Sequence, residues 1–407
     1  MKSVKLASIL FYLNSVFVVF CFVSCGSSPT EASFLLTADI RGGMDKPGLL
    51  GLGDEIKGVT FVPLEVTTDD ASLIDGVYDY AVTDRYIYVL PVKEPRIVLF
   101  DRQGRFIRTL VKEGQGPGEF RGILPCIQVD ERNDRLFLFS NNRVWEYTLE
   151  GEFIGQSTHE YSVIYMRHIG KDRFAAISFP FQPFNGGGFG LGLFSRKGDT
   201  IAIKNDFYSF LLPHEKSGFT TSIAPAYSDA QNSVLFKTGS NDTVFCISAD
   251  RISAACVLDL KNSDAEVIRS LDVTDMSNLR IEKKDPKDIF VQDMIEFPGH
   301  YYFRLLYNQG YYIASVDKKT GKTLVEKCVM PGSIYELADA NLQHGMQGTR
   351  SYRNFPVWGR VIKDELVQVV TPYELNLYKS LRSITIPQEL DLKGEEGNPV
   401  FVFYSLI

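Results

Sequence analysis

The sequence predicts an all-β fold: a six-bladed β-propeller of four-stranded antiparallel blades with short helical insertions. Three observations carry this reading. First, Phe100, Tyr147 and Phe194 lie 47 residues apart, and so do Gly104, Gly151 and Gly198. Second, the chain around them repeats one phrase without a gap: IVLFDRQGRFI from Ile97, VWEYTLEGEFI from Val144 and LGLFSRKGDTI from Leu191. Each copy reads as strand, tight turn at glycine, strand, and a period of roughly 40 to 50 residues with several short strands per unit marks a propeller. Third, from Val59 onward the chain is dense in short runs of Tyr, Phe and β-branched residues, broken by Asp-Arg, Gly, Asn-Asp or Lys-Gly. The 349 residues from 59 to 407 hold such a unit about seven times. Insertions reduce that to six, with seven blades as the alternative count.

The blades follow in order. Blade one takes YDYAV, YIYVL, RIVLF and RFIRTL. Blade two takes CIQVD, RLFLF, RVWEY and EFIGQ. Blade three takes VIYMRHI, RFAAIS, GLGLF and DTIAIK, and blade four SIAPAY, SVLFKT, TVFCIS and ISAACVLDL. Blade five takes FVQDMIEF, HYYFRLL, YYIASVD and KTLVEKCV. Blade six is less regular: VWGRVI, ELVQVV and the terminal VFVFYSLI are clear. The early run at residues 59–66 is expected to pair there, because an open ring leaves two unpaired strand edges. Residues 262–288 and the helix-like run at 372–381 break the pattern and read as insertions.

The chain divides into residues 1–24, 25–58 and the propeller, 59–407. MKSVK followed by an apolar stretch from Leu6 to Val23 has the charged start and apolar middle of a secretory signal. It ends in Phe22-Val23-Ser24-Cys25-Gly26, which resembles a bacterial lipobox, with Phe22 where Leu is usual. Cys25 is the expected lipidation site, since a thiol is needed for the thioether. The lipid chains would supply membrane affinity at about 0.8 kcal/mol per buried methylene. Residues 26–58, Gly-rich and weakly patterned, read as tether and lead-in.

Loss of residues 1–24 removes Lys2 and Lys5 and no acid, leaving 41 basic against 50 acidic residues and a net charge of −9. An acidic surface without a long basic run argues against nucleic acid as a partner. Beyond Cys21 and Cys25, the cysteines are Cys126, Cys246, Cys256 and Cys328, with no C-x-x-C and no zinc spacing. Each sits in an apolar run, so buried free thiols are expected; a Cys246–Cys256 bridge is the pairing left open.

Phe100-Asp101-x-x-Gly104-x-Phe106, then GQGPGEF at residues 114–120, resembles the six-bladed β-propeller lipoproteins of Bacteroidetes. The connector VKEGQGPGEFRGILPCIQVD, residues 111–130, is similar to the inter-blade signature of NHL-type propellers. FVPLE at 61–65, NDTVF at 241–245 and NPVFVFY at 398–404 add to the likeness, which spans the chain after the signal. The resemblance implies the fold and the cell envelope, and no chemistry. In that group a surface-exposed lipoprotein tends to carry an acidic run after the lipidated Cys. Here only Glu31 is acidic near Cys25, which favours the periplasmic side of the outer membrane.

Propellers take ligands at the central channel, and the connectors between blades are the first place to look. Lys112, Gln115, Glu119 and Arg121 flank the GQGPGEF run. Its three glycines and Pro117 shape a rigid connector that Phe120 can plug between blades. FPFQPFNGGGFG from Phe179 offers Phe181 and Phe184 for stacking on a sugar and Gln182 and Asn185 for its hydroxyls. NLQHGMQGTRSYRN from Asn341 offers His344, Arg350, Tyr352 and Arg353 to an acidic group. Catalytic residues cannot be named: the five histidines show no metal spacing, and G-x-S-x-G is missing. No cofactor is identified; calcium stays open, as does a carboxylate pair meeting across the channel. The expected function is a binding module for a carbohydrate, a peptide or an envelope protein. The alternative is a channel-sited hydrolase, lyase or lactonase-like enzyme.

Overall fold

Runs that are apolar at every position become the middle strands of sheets covered on both faces, and alternating runs become the outer ones. RLFLFS at residues 135–140 is buried from its second residue on, while FIGQST at 153–158 has no buried residue. The structure is a computed structural model and describes residues 35–46, 55–122, 126–140, 142–159, 163, 165–177, 181–182, 191–204, 210–211, 226–230, 232–237, 242–261, 289–308, 310–328, 359–380 and 397–407. The signal segment with Cys25 and the insertion at 262–288 lie outside the described residues.

Strand β1 (Leu36–Ala38), helix α1 (Ile40–Asp45) and strand β2 (Ile56–Pro63) come first. Blade one is β3 (Val77–Val82), β4 (Tyr86–Pro91), β5 (Arg96–Asp101) and β6 (Phe106–Lys112). Blade two is β7 (Cys126–Asp130), β8 (Arg135–Ser140), β9 (Arg143–Tyr147) and β10 (Phe153–Thr158). Blade three is β11 (Tyr165–His168), β12 (Arg173–Ile177), β14 (Leu191–Ser195) and β15 (Thr200–Lys204). A separate parallel pair joins β13 (Phe181–Gln182) to β16 (Phe210–Leu211). Blade four is β17 (Ala226–Ala230), β18 (Ser233–Lys237), β19 (Thr243–Ser248) and β20 (Ile252–Leu258). Blade five is β21 (Ile289–Glu296), β22 (His300–Tyr307), β23 (Gly310–Asp317) and β24 (Thr323–Cys328). Blade six is β25 (Gly359–Ile362), β26 (Glu365–Val370), β27 (Val400–Leu406) and β2. The predicted six four-stranded antiparallel blades are therefore present, and the ring closes as expected: β2 pairs antiparallel with β27, Val59 opposite Tyr404.

Each apolar cluster among the described residues joins two neighbouring blades. Tyr88 and Leu99 of blade one meet Leu138 and Trp145 of blade two, with Phe120 fully buried among them. Phe137 and Phe139 of blade two meet Phe174 and Phe194 of blade three. Phe401 and Phe403 of blade six meet Val98 and Phe100 of blade one.

The repeated glycines hold these junctions at short range. Gly104, Gly151 and Gly198 have φ of +82°, +87° and +98°, and Gly321 of blade five, at +73°, is a fourth copy. Each turn tucks against the outermost strand of the preceding blade. A Cβ on Gly104 would lie 2.2 Å from the Pro63 carbonyl oxygen, and one on Gly198 would lie 3.1 Å from that of Thr158. For Gly321 the neighbour is the Thr37 carbonyl, in β1.

That contact explains a departure from the sequence reading. Residues 36–45 fall in the stretch read as tether and lead-in, yet they form β1 and α1. β1 adds a fifth strand to blade four, parallel to β20, with Thr37 opposite Val257. Asp39 caps α1 by accepting the Gly42 amide at 2.8 Å, and Ala38 and Ile40 are fully buried. Three residues of strand are too few to leave a periodic signal, so pattern alone missed them.

The helix-like run at 372–381 forms helix α2 (Pro372–Ser380). Thr371 and Glu374 make a reciprocal capping box, 3.1 Å and 2.6 Å, with Pro372 at the first helical position. Leu375 is buried in the cluster between blades five and six. Cys126, Cys246 and Cys256 are free thiols. Cys246 faces Ser253 and Cys256 faces Val244 across β19 and β20, so no bridge joins them.

Gly104→Ala should destabilise the propeller by about 2 kcal/mol or more, since it combines left-handed strain with a carbonyl clash. Gly58→Ala, where a Cβ meets nothing within 4 Å, is the control and should change stability little. Denaturant unfolding of both variants checks this; equal effects would show that the turn contact does not hold the blades.

Candidate functional site

The innermost strands β3, β7, β11 and β25 each pair on one side only, with β4, β8, β12 and β26. Their other edges face the channel, and no backbone ladder joins one inner strand to the next. Side chains bridge instead. Arg360 of β25 donates to Asp79 at 2.7 Å and to the Tyr80 carbonyl at 2.6 Å. Asp79 accepts the Ile127 amide at 2.6 Å. The Gln128 side chain donates to the His168 carbonyl and accepts the His168 amide, while Arg167 donates to the Ile127 carbonyl. These bonds lace blades six, one, two and three into one polar girdle, and Asp79 and Arg167 are buried within it.

Beside this girdle lies a cavity of about 1030 Å³. It is lined mainly by the turns between the first and second strands of the blades, around Asp84, Glu131, Gly170, Asn232 and Lys363. Asp250, in the turn between β19 and β20, joins them. Inner-strand residues such as Val129, His168 and Val361 form its deeper wall. Several of these turns carry non-glycine residues at positive φ: Lys171 (+49°), Asp172 (+52°), Asn232 (+66°) and Lys363 (+56°). Such backbone costs of order 1 kcal/mol or more each, and it gathers at ligand sites.

The cavity rim is a lattice of opposite charges. Lys363 of blade six lies 2.5 Å from Asp84 of blade one and 2.7 Å from Glu131 of blade two. Blades six and two are not neighbours, so this ammonium reaches in front of blade one. Lys171 pairs with Asp250 at 3.0 Å, linking blades three and four. Arg132 and Asp364 line the same cavity, and both are exposed. Neither side chain pairs with a described residue.

His168 sits in the wall, its ring stacked 5.0 Å from that of Phe137 and its Nδ1 3.5 Å from Asp130. Burial lowers its pKa, and Asp130 opposes that only in part. His159 lies between the rings of Phe174 and Phe194, and neither of its nitrogens has a partner among the described residues. Burial lowers its pKa as well. On the inner strand of blade five, burial pushes the Asp293 carboxyl up to about 6, against a bond from the Met294 amide and the Arg304 guanidinium 3.9 Å away. Asp293 does not line the cavity. Among the described residues no three His, Cys, Asp or Glu side chains converge in a way that could hold a metal ion.

The residues singled out from sequence fall elsewhere. Lys112, Gln115 and Arg121 are exposed in the connector between blades one and two, at the opposite end of the inner strands. Glu119 turns back on its own loop, accepting the Gly116 amide at 2.7 Å, and Arg121 donates to the Gly114 carbonyl at 3.3 Å. Phe120 plugs the junction behind them. Phe181 and Gln182 are described only as backbone of β13. Phe184, Asn185, His344, Arg350, Tyr352 and Arg353 lie outside the described residues. Sequence reasoning looked to the connector end of the channel, whereas the described cavity lies at the turn end. The missed signal was the recurrence of charged pairs after the first strand of a blade: Glu131-Arg132, Lys171-Asp172 and Lys363-Asp364.

A propeller with this channel site defines a class of scaffold shared by many activities. The particular family is shown by the sequence: the profile of "Domain of unknown function (DUF4934)" matches residues 35–405, and the chain belongs to that family. No curated protein matches the sequence. Among solved structures, the chain is similar to a protein of Bacteroides fragilis NCTC 9343 described as exported. That likeness has 13% identity and a TM-score of 0.64, covering 91% of this chain and 99% of the other. A chain of a nidogen/laminin complex shows 9% identity and a TM-score of 0.34, over 66% of this chain and 92% of that one. The WD40 β-propeller domain of Doa1 shows 12% identity and a TM-score of 0.36, over 69% and 74%. At these identities the likeness concerns the fold alone.

The two histidines set an acid limb of stability. Both are held neutral in the native state, so below about pH 6.5 the unfolded chain binds more protons and stability falls with pH. Each contributes a slope of at most about 1.4 kcal/mol per pH unit. His159→Phe keeps a ring between Phe174 and Phe194 and should flatten the fall between pH 6.5 and 5. An unchanged acid limb in denaturant titrations would refute the assignment to His159.

Proposed function

We propose that this chain is an exported, lipid-anchored binding module that takes a ligand into the turn end of its channel. The observation that carries the reading is the cavity of about 1030 Å³, walled by rigid inner strands and rimmed by charges held on strained turns. Its size is that of a ligand site, and its mixed polar lining supplies orientation. Export is supported by the signal-like residues 1–24 and by the described character of the Bacteroides fragilis neighbour. The lipobox-like run ending at Cys25 supports a lipid anchor, with the membrane as partner through it, and Glu31 as the only acidic residue close after Cys25 favours the periplasmic side of the outer membrane. The likeness of residues 111–130 to NHL-type connectors agrees with a binding scaffold.

A second reading is an enzyme of the channel, hydrolase, lyase or lactonase-like, with calcium as an admissible cofactor. Asp293 favours it, because a carboxyl raised to about 6 on an inner strand is suited to proton transfer near neutral pH.

The soluble form beginning after Cys25, assayed for bound metal and screened by thermal shift against glycans, peptides and calcium, separates the two. The binding module is expected to shift with one ligand class and to hold no stoichiometric metal. A large calcium shift abolished by chelator would overturn it in favour of the enzyme. In the full chain, Cys25→Ala should abolish incorporation of labelled palmitate; persistent labelling would refute the anchor.

A further inference from the structure

Asp130 stands where the wall of the cavity meets its rim. It ends strand β7 and leads into a single 3₁₀ turn at Glu131–Asn133. One carboxylate oxygen, Oδ2, faces two donors: the Asn133 side-chain amide at 2.7 Å and Nδ1 of His168 at 3.5 Å. The first contact is a hydrogen bond, and the second is too long to be one. Arg135 holds the far end of the turn through the carbonyls of Asn133 and Asp134, at 2.8 Å and 2.9 Å. A change at Asp130 therefore falls on the near end, at Glu131. That residue carries the rim. Its Oε1 accepts the Asp84 amide at 3.1 Å, and its Oε2 accepts from the Lys363 ammonium at 2.7 Å.

A proton on His168 changes this balance. The ring is fixed, stacked on Phe137 at 5.0 Å and met edge-on by Phe174 at 5.4 Å, while Gln128 holds its backbone amide and carbonyl. The carboxylate is the partner that has to move. A charge-assisted bond to the imidazolium needs about 2.8 Å, so Oδ2 would travel roughly 0.7 Å, away from the Asn133 amide. The other charges around the ring are matched among themselves. Glu146 of β9 is bound by Arg135 of β8 and by Arg196, which also lies 3.7 Å from Asp172 in the turn after β11. Lys171 of that turn pairs with Asp250, and Arg167, beside His168 on β11, donates to the Ile127 carbonyl. Among the described residues Asp130 has no cationic partner but His168. Burial opposes the proton, so His168 is neutral at pH 7 and takes it up below its ordinary range near pH 6.5. We propose that Asp130 and His168 form a proton-operated switch of the cavity rim: in acid, Asp130 turns from Asn133 to the imidazolium, Glu131 is released, and the clasp that Lys363 makes across blade one opens. As control of the cavity this rests on the binding-module reading, whereas the movement of the rim needs no ligand.

The test is amide hydrogen exchange, read by mass spectrometry on the soluble protein beginning after Cys25, at pH 7.5 and pH 5.5 and corrected for the pH dependence of intrinsic exchange. Fragments holding Asp84 and residues 131–134 should exchange at least tenfold faster at pH 5.5, and those of the middle strands β18 and β19 at an unchanged rate. His168→Phe keeps the stacked ring and takes up no proton, so its rim should stay protected at both pH values. Asn133→Ala, at an exposed turn position, removes the bond that Asp130 would leave. Its rim should exchange fast already at pH 7.5, with no further gain in acid. A rim unmoved by acid, a loosening shared by β18 and β19, or an acid loosening that persists in His168→Phe would overturn the switch. A rim that loosens as expected while no glycan or peptide binds at either pH keeps the switch and removes the binding module. A ligand bound equally at both pH values over an unmoved rim does the reverse.

Discussion

Every blade of this protein is apolar on both faces, and that constraint organises the rest. A sheet such as blade two, with Leu138 and Trp145 packed one way and Phe137 and Phe139 the other, has no side it can leave to water. Each blade therefore needs two neighbours, and only a closed ring gives two to all of them. Closure in turn requires that one blade be built from both ends of the propeller. Blade six does this, with β2 on β27 and the Gly104 turn of blade one seated on the last carbonyl of β2. Sequence-distant contacts of this kind place the stability in the ring as a whole, with little left in any single blade.

Closure also fixes the channel, and two kinds of polar contact divide its labour. The girdle of Asp79, Gln128, Arg167 and Arg360, with Asp79 and Arg167 buried and the other two half-buried, satisfies backbone groups along the inner edges. Removing one member leaves a buried charge or amide exposed to nothing, so the wall is stiff. The rim pairs are different. Lys171 and Asp250 are both largely solvated, and such pairs contribute little to stability. They can rearrange at low cost. A stiff wall with an adaptable rim is an arrangement suited to recognition, and strained turns at Lys171 and Lys363 are consistent with selection for position over stability.

Most of the fold was legible because propeller signals are local and repeated. The glycine turns needed only a fixed spacing and a residue free to adopt positive φ. The closing strand was legible from the topological need to cover an edge. The clip formed by β1 and α1 was not, because three strand residues and a six-residue helix carry no periodicity; their reason lies in the Gly321 turn of another blade. Site residues were harder still. Glu119 looked available in the sequence but is spent on the amide of Gly116. Lys363 looked like an ordinary turn residue, and its place at the cavity depends on ring geometry that brings it together with Asp84 and Glu131 from three blades.

The clip has a mechanical consequence for any load applied through the N-terminal side of the chain. Any load entering from residues before 35 reaches β1 first, because β1 precedes β2 along the chain. β1 is held to β20 by its ladder, and Arg41 adds a bond to the Leu260 carbonyl with its guanidinium over Tyr307. Ile40 and Ala38 are buried against both blades four and five. A pull is thus spread over two blades before it can reach β2. The β2–β27 pair closes the ring, and peeling it would open every junction in turn. β1 lies ahead of the closing strand β2 along the chain, so the clip takes a load from the N-terminal side before the ring closure does.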